Sequence, residues 1–260
     1  MLAEDSIYAL RLATEPADLL GAQRLRYRVF VQELGAEGPL VDHAAGIERD
    51  EFDPLFDHLV LVDTRIPPET GDHVVGAYRL LPSDRVGSQG RFYSQGEFDL
   101  APLRAGGRKL LELGRTCVHP DHRGGAAMFL LWNGLAEYVL ERGIEVLFGA
   151  ASFHGTDPQA LAMPLAWLHH HHLAPPEMRV RAIGPDRAEM NLIASDALSR
   201  AQAMAAMPAL IKAYLRLGGF VGDGAFVDRA FNTTDVCLLM DTAKMSAKHR
   251  DFYIRKQAAP

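Results

Sequence analysis

The stretch "LLELGRTCVHPDHRGG" (residues 110–125) places Glu112 and Arg115 in an apolar segment that leads directly into a basic, glycine-containing turn. Ionised side chains are costly to bury unless they are paired or used in binding or chemistry. The segment therefore predicts a strand that carries either an internal ion pair or a reaction centre. The local pattern alone does not choose between these two interpretations.

The geometry of this strand decides whether its two ionised groups share one side. Glu112 and Arg115 are an odd number of positions apart, so they point to opposite faces if the strand is regular. Gly114 lies between them and is a candidate for a bulge that brings both to one face. A carboxylate in an apolar cleft tends to have a raised pKa, which suits a general base for an amine.

The turn after the strand is a candidate anion site. Arg123, Gly124 and Gly125 open an apolar helix predicted over 126–143. Free amides at a helix N-terminus bind anions, and glycine lets a ligand approach the backbone closely. Pyrophosphate or phosphopantetheine would suit this site, while a plain strand–helix turn is the simpler alternative.

Hydrophobic periodicity outside this stretch predicts a mixed α/β layer with helices on both faces. A helix is predicted over 17–35, ended by Gly35, and strands at 57–64 and 73–82 form an antiparallel hairpin. Further along, the pattern predicts a strand at 144–152, a helix from Asp157, a helix at 195–219 capped at Ser195 or Asp196, and a strand at 235–242.

Composition sets limits on the class of protein. The chain has 260 residues, 48% hydrophobic and 23% charged, which is typical of a soluble globular enzyme. The net charge of −6 disfavours a nucleic-acid partner. Cys117 and Cys237 form neither a disulfide framework nor a zinc motif, and no signal or membrane-spanning run is found. We therefore expect a cytoplasmic protein, with contact at the inner face of the cytoplasmic membrane left open.

An acidic stretch, "IERDEFDPLFDHLV" (47–60), carries several carboxylates. Such runs are usually solvated loops, although they also bind cationic substrates or metals. Three arginines in apolar sequence, Arg26, Arg28 and Arg79, favour a buried role, because buried arginines need carboxylate partners. The run "HHHH" (169–172) points around a helix axis, so we expect no metal site there.

Several motifs, taken in order, resemble one branch of a known superfamily. "LRYRVFVQELG", "DEFDPLFDHLVL", "GAYRLL" and "LELGRTCV" resemble the acyl-homoserine-lactone synthases, the autoinducer-synthase-like branch of the GCN5-related N-acyltransferases. The turn "RGGAAM" departs from the superfamily's usual Arg/Gln-x-x-Gly-x-Gly/Ala pattern. "LHHHHLAPPEMRVRA" and "PALIKAYLRLGGFVGDGAFVDRAFNTTDVCLLMD" are similar to the ornithine–acyl-carrier-protein N-acyltransferases, which are also labelled hemolysin-like.

This resemblance runs from about residue 8 to residue 245 and implies a fold. The implied fold is α/β, a GCN5-related N-acyltransferase-like fold with a mixed, mostly antiparallel central sheet flanked by helices and a C-terminal helix-plus-strand extension. The implied division is an N-acyltransferase core in 1–173, a family-specific part in 174–245 packed on the same core, and a basic tail in 246–260.

The resemblance also implies a reaction. A 3-hydroxyacyl chain would pass from acyl carrier protein to the α-amine of L-ornithine, giving lyso-ornithine lipid, the first step of ornithine lipid biosynthesis. No tightly bound cofactor and no metal are implied, since the acyl-phosphopantetheine thioester is a co-substrate. Open alternatives are an acyl-CoA-dependent N-acyltransferase acting on another small amine, an enzyme like the acyl-homoserine-lactone synthases, and a non-catalytic protein that binds lipid or acyl carrier protein.

Site residues follow from the same resemblance. Glu112 matches the general base and Arg115 its partner, while the general acid is not assigned. The substrate site matches Arg26, Phe30, Asp53, Asp57 and Arg79, with Asp53 or Asp57 expected to meet the side-chain ammonium of ornithine. The acyl-pantetheine arm is expected at Cys117, Val118, Arg123, Gly124 and Gly125. Basic residues at 104–109 are candidates for contact with acyl carrier protein, and those at 244–256 are candidates for contact with anionic lipid.

Overall fold

The structure is a computed structural model, and it describes residues 7–86 and 90–244. Its helices are α1 (Pro16–Arg26), α2 (Ala101–Ala105), α3 (Ala127–Arg142), α4 (Ala162–His172), α5 (Arg200–Ala206) and α6 (Ala209–Arg216), with a π-helical segment, Tyr27–Glu33, after α1. Its strands are β1 (Tyr8–Leu12), β2 (Asp57–Asp63), β3 (Val74–Pro82), β4 (Phe98–Asp99), β5 (Leu110–Val118), β6 (Val146–His154), β7 (Arg181–Ala182), β8 (Arg187–Ala188), β9 (Phe220–Val221), β10 (Ala225–Asp228) and β11 (Thr233–Asp241).

The chain separates into two compact units. The first comprises Met1–Gly87 and Leu113–Gly143, and the second comprises Ser88–Glu112 and Ile144–Pro260. The chain therefore passes from the second unit into the first within β5. The boundary that we predicted between residues 173 and 174 falls inside the second unit, and the predicted basic tail, 246–260, lies outside the described residues.

In the first unit, β2 pairs antiparallel with β1 on one side and with β3 on the other. The predicted hairpin is confirmed. Val60 and Val62 pack with Ala22 and Leu25 of α1 in one core cluster, whereas Leu59 faces α3. Because helices cover both faces, residues 59–62 of β2 are all apolar and do not alternate with polar ones.

In the second unit, β6 and β11 pair antiparallel along their full length, and β11 pairs antiparallel with β10. The start of β5 pairs parallel with β6, where Glu112 is in register with Phe148. The sheet is thus mixed but mostly antiparallel, with helices flanking it, as predicted. The register matters for function because it fixes which residues share a face with Glu112.

Two helix predictions need correction. The single helix predicted over 195–219 is wrong, because Pro208 breaks it into α5 and α6 and holds Met207 extended at ψ 129°. Its cap is Ser199, whose hydroxyl oxygen accepts a hydrogen bond from the amide of Gln202 at 3.4 Å. The helix predicted from Asp157 begins only at α4, since Asp157 accepts the amide of Gln159 in a tight turn.

Helix α3 follows the sequence prediction closely. It ends at Gly143, whose φ of 62° places it in the left-handed region that glycine adopts without penalty. No helix among residues 7–86 and 90–244 is long and apolar enough to cross a membrane.

Candidate active site

Strand β5 departs from regular geometry at Arg115, the residue after Gly114. Arg115 has a φ of 49°, a left-handed conformation that costs a non-glycine residue about 1 kcal/mol. Such a conformation persists only where the surroundings hold the residue in place. Its guanidinium is held by Glu48 and Asp50, with Nε 3.3 Å from Glu48 Oε1 and Nη2 3.4 Å from Asp50 Oδ2.

Arg115 is one member of a buried ionic network in the first unit. We define the ionic network as three arginines and three carboxylates: Arg26, Arg79, Arg115, Glu48, Asp50 and Asp53. Arg26 is fully buried and donates from Nη1 to Asp53 Oδ1 at 2.7 Å and from Nε to Glu48. Arg79 donates from Nη1 to Asp50 at 2.7 Å and to Asp53 at 2.8 Å.

The charges of the ionic network balance, and this controls its protonation. Burial alone would raise the pKa of Asp53, but attraction by Arg26 and Arg79 outweighs it and leaves the pKa lowered. The pKa values of Glu48 and Asp50 are lowered for the same reason. All three carboxylates are therefore ionised at neutral pH, and each is already bound to arginine.

The helix that carries Arg26 changes geometry just after it. Residues Tyr27–Glu33 form a π-helical segment, a widened turn that is often found at functional sites. Phe30 lies in this segment, half-buried, and packs against the core cluster that contains Val29. The segment ends at Glu33, and Gly35, where the sequence predicted a helix end, follows two residues later with a φ of 77°.

Asp57 belongs to a different set of contacts from the one we expected. It is the first residue of β2, and its Oδ2 accepts from the Tyr138 hydroxyl at 2.7 Å and from Arg142 Nη2 at 3.4 Å, while Oδ1 accepts from Arg85. Burial, followed by the hydrogen bond to Asp57, raises the pKa of Tyr138. Asp50, and not Asp57, is the third carboxylate of the ionic network, where it binds Arg79 and Arg115.

Sequence reasoning missed Glu48 as well as the role of Asp50. Both lie in the acidic stretch 47–60, but nothing in the spacing distinguishes carboxylates that meet arginines from carboxylates in a solvated loop. A backbone contact brings Glu48 to the arginines: its amide donates a hydrogen bond to the carbonyl of Gln23 in α1 at 3.1 Å.

Glu112 is the site residue of the second unit, and it is only 1% exposed. Its Oε1 accepts from the amide of Ser94 at 2.7 Å, and its Oε2 accepts from the amide of Tyr93 at 2.8 Å. Both amides belong to a 3₁₀ turn, Tyr93–Gly96. Two charge-assisted hydrogen bonds from neighbouring amides fix the orientation of the Glu112 carboxylate.

In the turn after β5, Gly124 and Gly125 have open space around them, whereas the Arg123 side chain is bound to other residues. Arg123 makes a bidentate pair with Glu33 at 2.6 and 2.7 Å, and its Nε donates to the carbonyl of Val118 at 3.0 Å. A Cβ placed at Gly124 or Gly125 would meet nothing within 4 Å. The open part of the predicted anion site is therefore backbone at the N-terminal end of α3.

The residues predicted to line the acyl-donor strand are buried. Cys117 packs in the core cluster with Ala22 and Leu25, and Val118 is 6% exposed. Burial raises the pKa of the Cys117 thiol to about 12, so it is protonated at neutral pH. Its side chain is therefore a core group, and any contact with an acyl donor falls to the main chain.

Three of the four consecutive histidines of α4 have separate contacts. His170 lies 3.1 Å from the carbonyl oxygen of Ile193, and the His171 ring packs against Trp167 with centroids 4.1 Å apart. His169 approaches Asp223 at 4.0 Å. The rings of His169 and His170 meet edge to face, with centroids 5.2 Å apart.

Comparison with known proteins shows the family. Residues 25–133 match the Acetyltransferase (GNAT) domain family. The chain is 64% identical to the L-ornithine N(alpha)-acyltransferase of Rhodobacter capsulatus over 256 residues, 98% of each chain. It is 39% identical to the enzyme of the same name from Brucella abortus over 246 residues, 94% of this chain and 88% of the other.

Among solved structures, FeeM, an N-acyl amino acid synthase from uncultured soil microbes, is similar at 12% identity with a TM-score of 0.48 over 91% of each chain. The matches along nearly the full length of curated relatives decide the assignment. The chain is an N-acyltransferase of the GNAT fold and belongs to the family of the L-ornithine N(alpha)-acyltransferases.

Proposed function

We propose that this chain transfers a 3-hydroxyacyl group from the phosphopantetheine thioester of acyl carrier protein to the α-amine of L-ornithine, giving lyso-ornithine lipid. The observation that carries the mechanism is the buried carboxylate of Glu112, fixed by two backbone amides. The names of relatives that match nearly the whole chain support ornithine as the acceptor.

Glu112 acts as the general base in this proposal. The α-ammonium of ornithine cannot attack until it loses a proton, which Glu112 takes directly or through one water. The free amine attacks the thioester carbonyl carbon, the C–N bond forms and the C–S bond breaks. As the thiolate leaves, it takes up the second proton that the nitrogen releases, so an ammonium and a thioester become an amide, a thiol and the proton held by Glu112.

Main-chain groups of β5 hold the acyl donor. We assign the strand amides near Cys117 and Val118 to the thioester carbonyl, where one oxyanion donor is typically worth ~3–4 kcal/mol. Open space at Gly124 and Gly125 supports a phosphate of the pantetheine arm at the N-terminal end of α3. Arg123, bound to Glu33 and to the carbonyl of Val118, positions this turn.

The ionic network contributes to substrate binding through a guanidinium nitrogen of Arg26 that forms no hydrogen bond to its carboxylates. Within the described part of the chain, Nη2 of the fully buried Arg26 makes no hydrogen bond. A buried guanidinium N–H is a strong donor for a substrate carboxylate or carbonyl. Phe30 packs against the core cluster beside the helix that carries Arg26. Arg115 binds Glu48, which is also a partner of Arg26.

The test uses purified protein, 3-hydroxyacyl thioester of acyl carrier protein and L-ornithine, followed by thiol release and mass spectrometry of the product. Changing Glu112→Gln should lower turnover by about a hundredfold or more, the usual contribution of a general base. The exposed Glu137→Gln in α3 is the matched control and should retain full turnover. Unchanged turnover of the Glu112→Gln protein would remove Glu112 from the base role.

A glutamine at position 112 presents one donor group to two amide donors, so its fold needs a separate check. Thermal unfolding followed by circular dichroism shows whether the variant is folded when assayed. Acyl-CoA thioesters and other small amines, offered in the same assay, separate the alternatives. Preference for acyl-CoA over the carrier-protein thioester would overturn the donor assignment.

Contact with an anionic membrane is a separate proposal, resting on the basic composition of residues 244–256. Most of that segment lies outside the described residues. Sedimentation with anionic liposomes compares the full chain with a chain that ends at Ala243. Equal binding of the two proteins would exclude the segment as an anchor.

A further inference from the structure

Three carboxylates come together in the second unit. We define the acidic triad as Glu97, Asp228 and Asp235, one oxygen of each lying within 4.8 Å of the others. Glu97 and Asp235 are buried and Asp228 is half-buried. A close group of carboxylates is suited to bind a positive charge.

Strand pairing places a buried hydroxyl on the same face as the two aspartates. Thr233 is directly opposite Asp228 across the β10–β11 pair, and Asp235 follows two positions later on the same face of β11. Thr233 is 6% exposed, and its Oγ1 makes no hydrogen bond within residues 7–86 and 90–244. This unused oxygen is a fourth polar group directed to that face.

The acidic triad shares a sheet face with Glu112. Asp235 is in register with Ser152 and Glu112 with Phe148, and these two β6 residues are four positions apart on one face. Ser152 is exposed, so the face opens to solvent beside Asp235.

One turn and one thiol lie close both to Glu112 and to Glu97 of the acidic triad. The turn whose Ser94 amide binds Glu112 continues directly into Glu97, whose own amide donates to the Ser94 carbonyl at 3.1 Å. Cys237 lies two positions beyond Asp235, and its pKa is raised by burial and then by the negative charges of Glu112 and Glu97. Both carboxylates are therefore close to the same side chain.

The spacing of the oxygens is compatible with an ammonium group. An ammonium has three N–H donors in tetrahedral directions, and acceptors at about 2.8 Å then lie about 4.6 Å apart. The 4.8 Å limit of the acidic triad accommodates the ammonium arrangement.

We propose that the acidic triad and Thr233 form the subsite for the side-chain ammonium of the amino acid acceptor, so that the enzyme selects a diamino acid. This rests on the proposed function, in which Glu112 deprotonates the α-amine. An ammonium held by carboxylates stays protonated and cannot attack, which directs acylation to the α-nitrogen. The subsite replaces Asp53 and Asp57, which are bound to arginines in the first unit.

The experiment compares L-ornithine with L-2-aminopentanoic acid, which has the same carbon chain without the second amine. Changing Asp235→Asn should raise the KM for ornithine about tenfold to a hundredfold, the usual effect of losing a hydrogen bond to a charged group. Turnover of the monoamine should change less than about twofold. Asp228→Asn and the near-isosteric Thr233→Val should act in the same direction with smaller size, and the exposed Asp196→Asn is the control.

Equal losses with both amino acids, or no loss with ornithine, would overturn the subsite. A stoichiometric metal in the purified protein, with activity lost on chelation, would also overturn it. If the wild-type protein acylates neither amino acid, the proposed function fails, and calorimetric titration then decides the subsite alone. Tighter binding of ornithine than of the monoamine, abolished by Asp235→Asn, would support it; equal binding would reject it.

Discussion

Arg26 and Asp53 form a buried ion pair, with Nη1 2.7 Å from Oδ1 and exposures of 0% and 5%. The pair joins the last residue of α1 to the acidic segment that precedes β2. Two charges at this depth lose several kcal/mol of hydration each, which only their mutual attraction and further hydrogen bonds offset. The ionic network is therefore a structural element of the first unit as well as a candidate binding site.

Removing one partner from this network should destabilise the protein strongly. Changing Asp53→Ala leaves Arg26 and Arg79 buried with one acceptor fewer, so the free energy of unfolding should fall by about 3–5 kcal/mol. Urea denaturation followed by circular dichroism measures the change. The control is Glu189→Ala, which breaks an exposed pair with Arg187 and should cost less than about 1 kcal/mol. A loss at position 53 no larger than the control would contradict a buried network.

Stability should fall as the pH is lowered, in two stages. The pKa of His58 is lowered by burial, so the unfolded chain takes up its proton first, below about pH 6.5, and stability begins to decline there. Glu48, Asp50 and Asp53 have lowered pKa values in the folded state, so the unfolded state again binds more protons below about pH 4–5.

The measurement is the urea midpoint from pH 7.5 to pH 4. Full stability is expected at the upper end, with a shallow loss below about pH 6.5 and a steeper one below about pH 5. An Asp53→Asn protein should lose part of the steeper limb, because that carboxylate no longer titrates. A midpoint that rises on acidification would show that the folded state, and not the unfolded one, binds the extra protons.

The sequence predicts elements better than it predicts contacts. β2, β3, β5, β6, β11 and α3 are long and strongly apolar, and Gly143 ends α3 as expected. Pro208 carried a local signal for a helix break that the apolar periodicity around it concealed. The short strands of the second unit carry too few residues for any period to show.

Contacts between distant residues explain what sequence reasoning did not find. Asp50 and Asp57 lie seven positions apart in one acidic stretch, and only the path of the backbone sends the first to Arg79 and the second to Tyr138. Glu97 meets Asp235 because sheet pairing and a turn bring them together across more than a hundred residues. Composition and residue spacing do not predict such contacts.

Position 115 should prefer glycine to alanine, the reverse of an ordinary strand position. Both substitutions remove the guanidinium of Arg115, but only glycine adopts a φ of 49° without penalty. The Arg115→Gly protein should therefore be more stable than Arg115→Ala by about 1 kcal/mol. Thermal or urea denaturation of the two proteins measures the difference. At Ser152, an exposed residue of β6, alanine should be the more stable of the two. Alanine favoured at both positions would contradict the left-handed conformation.

The two thiols should resist alkylation in the folded protein. Cys117 and Cys237 are both buried, and burial raises the pKa of Cys117 to about 12 and that of Cys237 as well. Only the thiolate reacts, and at pH 8 a shift from about 8.5 to 12 lowers its fraction roughly a thousandfold or more. Iodoacetamide labelling counted by intact mass should add no label to native protein over the time that labels both thiols in urea. A Cys237→Ala protein reports Cys117 alone, and native labelling of that protein at the rate seen in urea would place the thiol at the surface and remove it from the core.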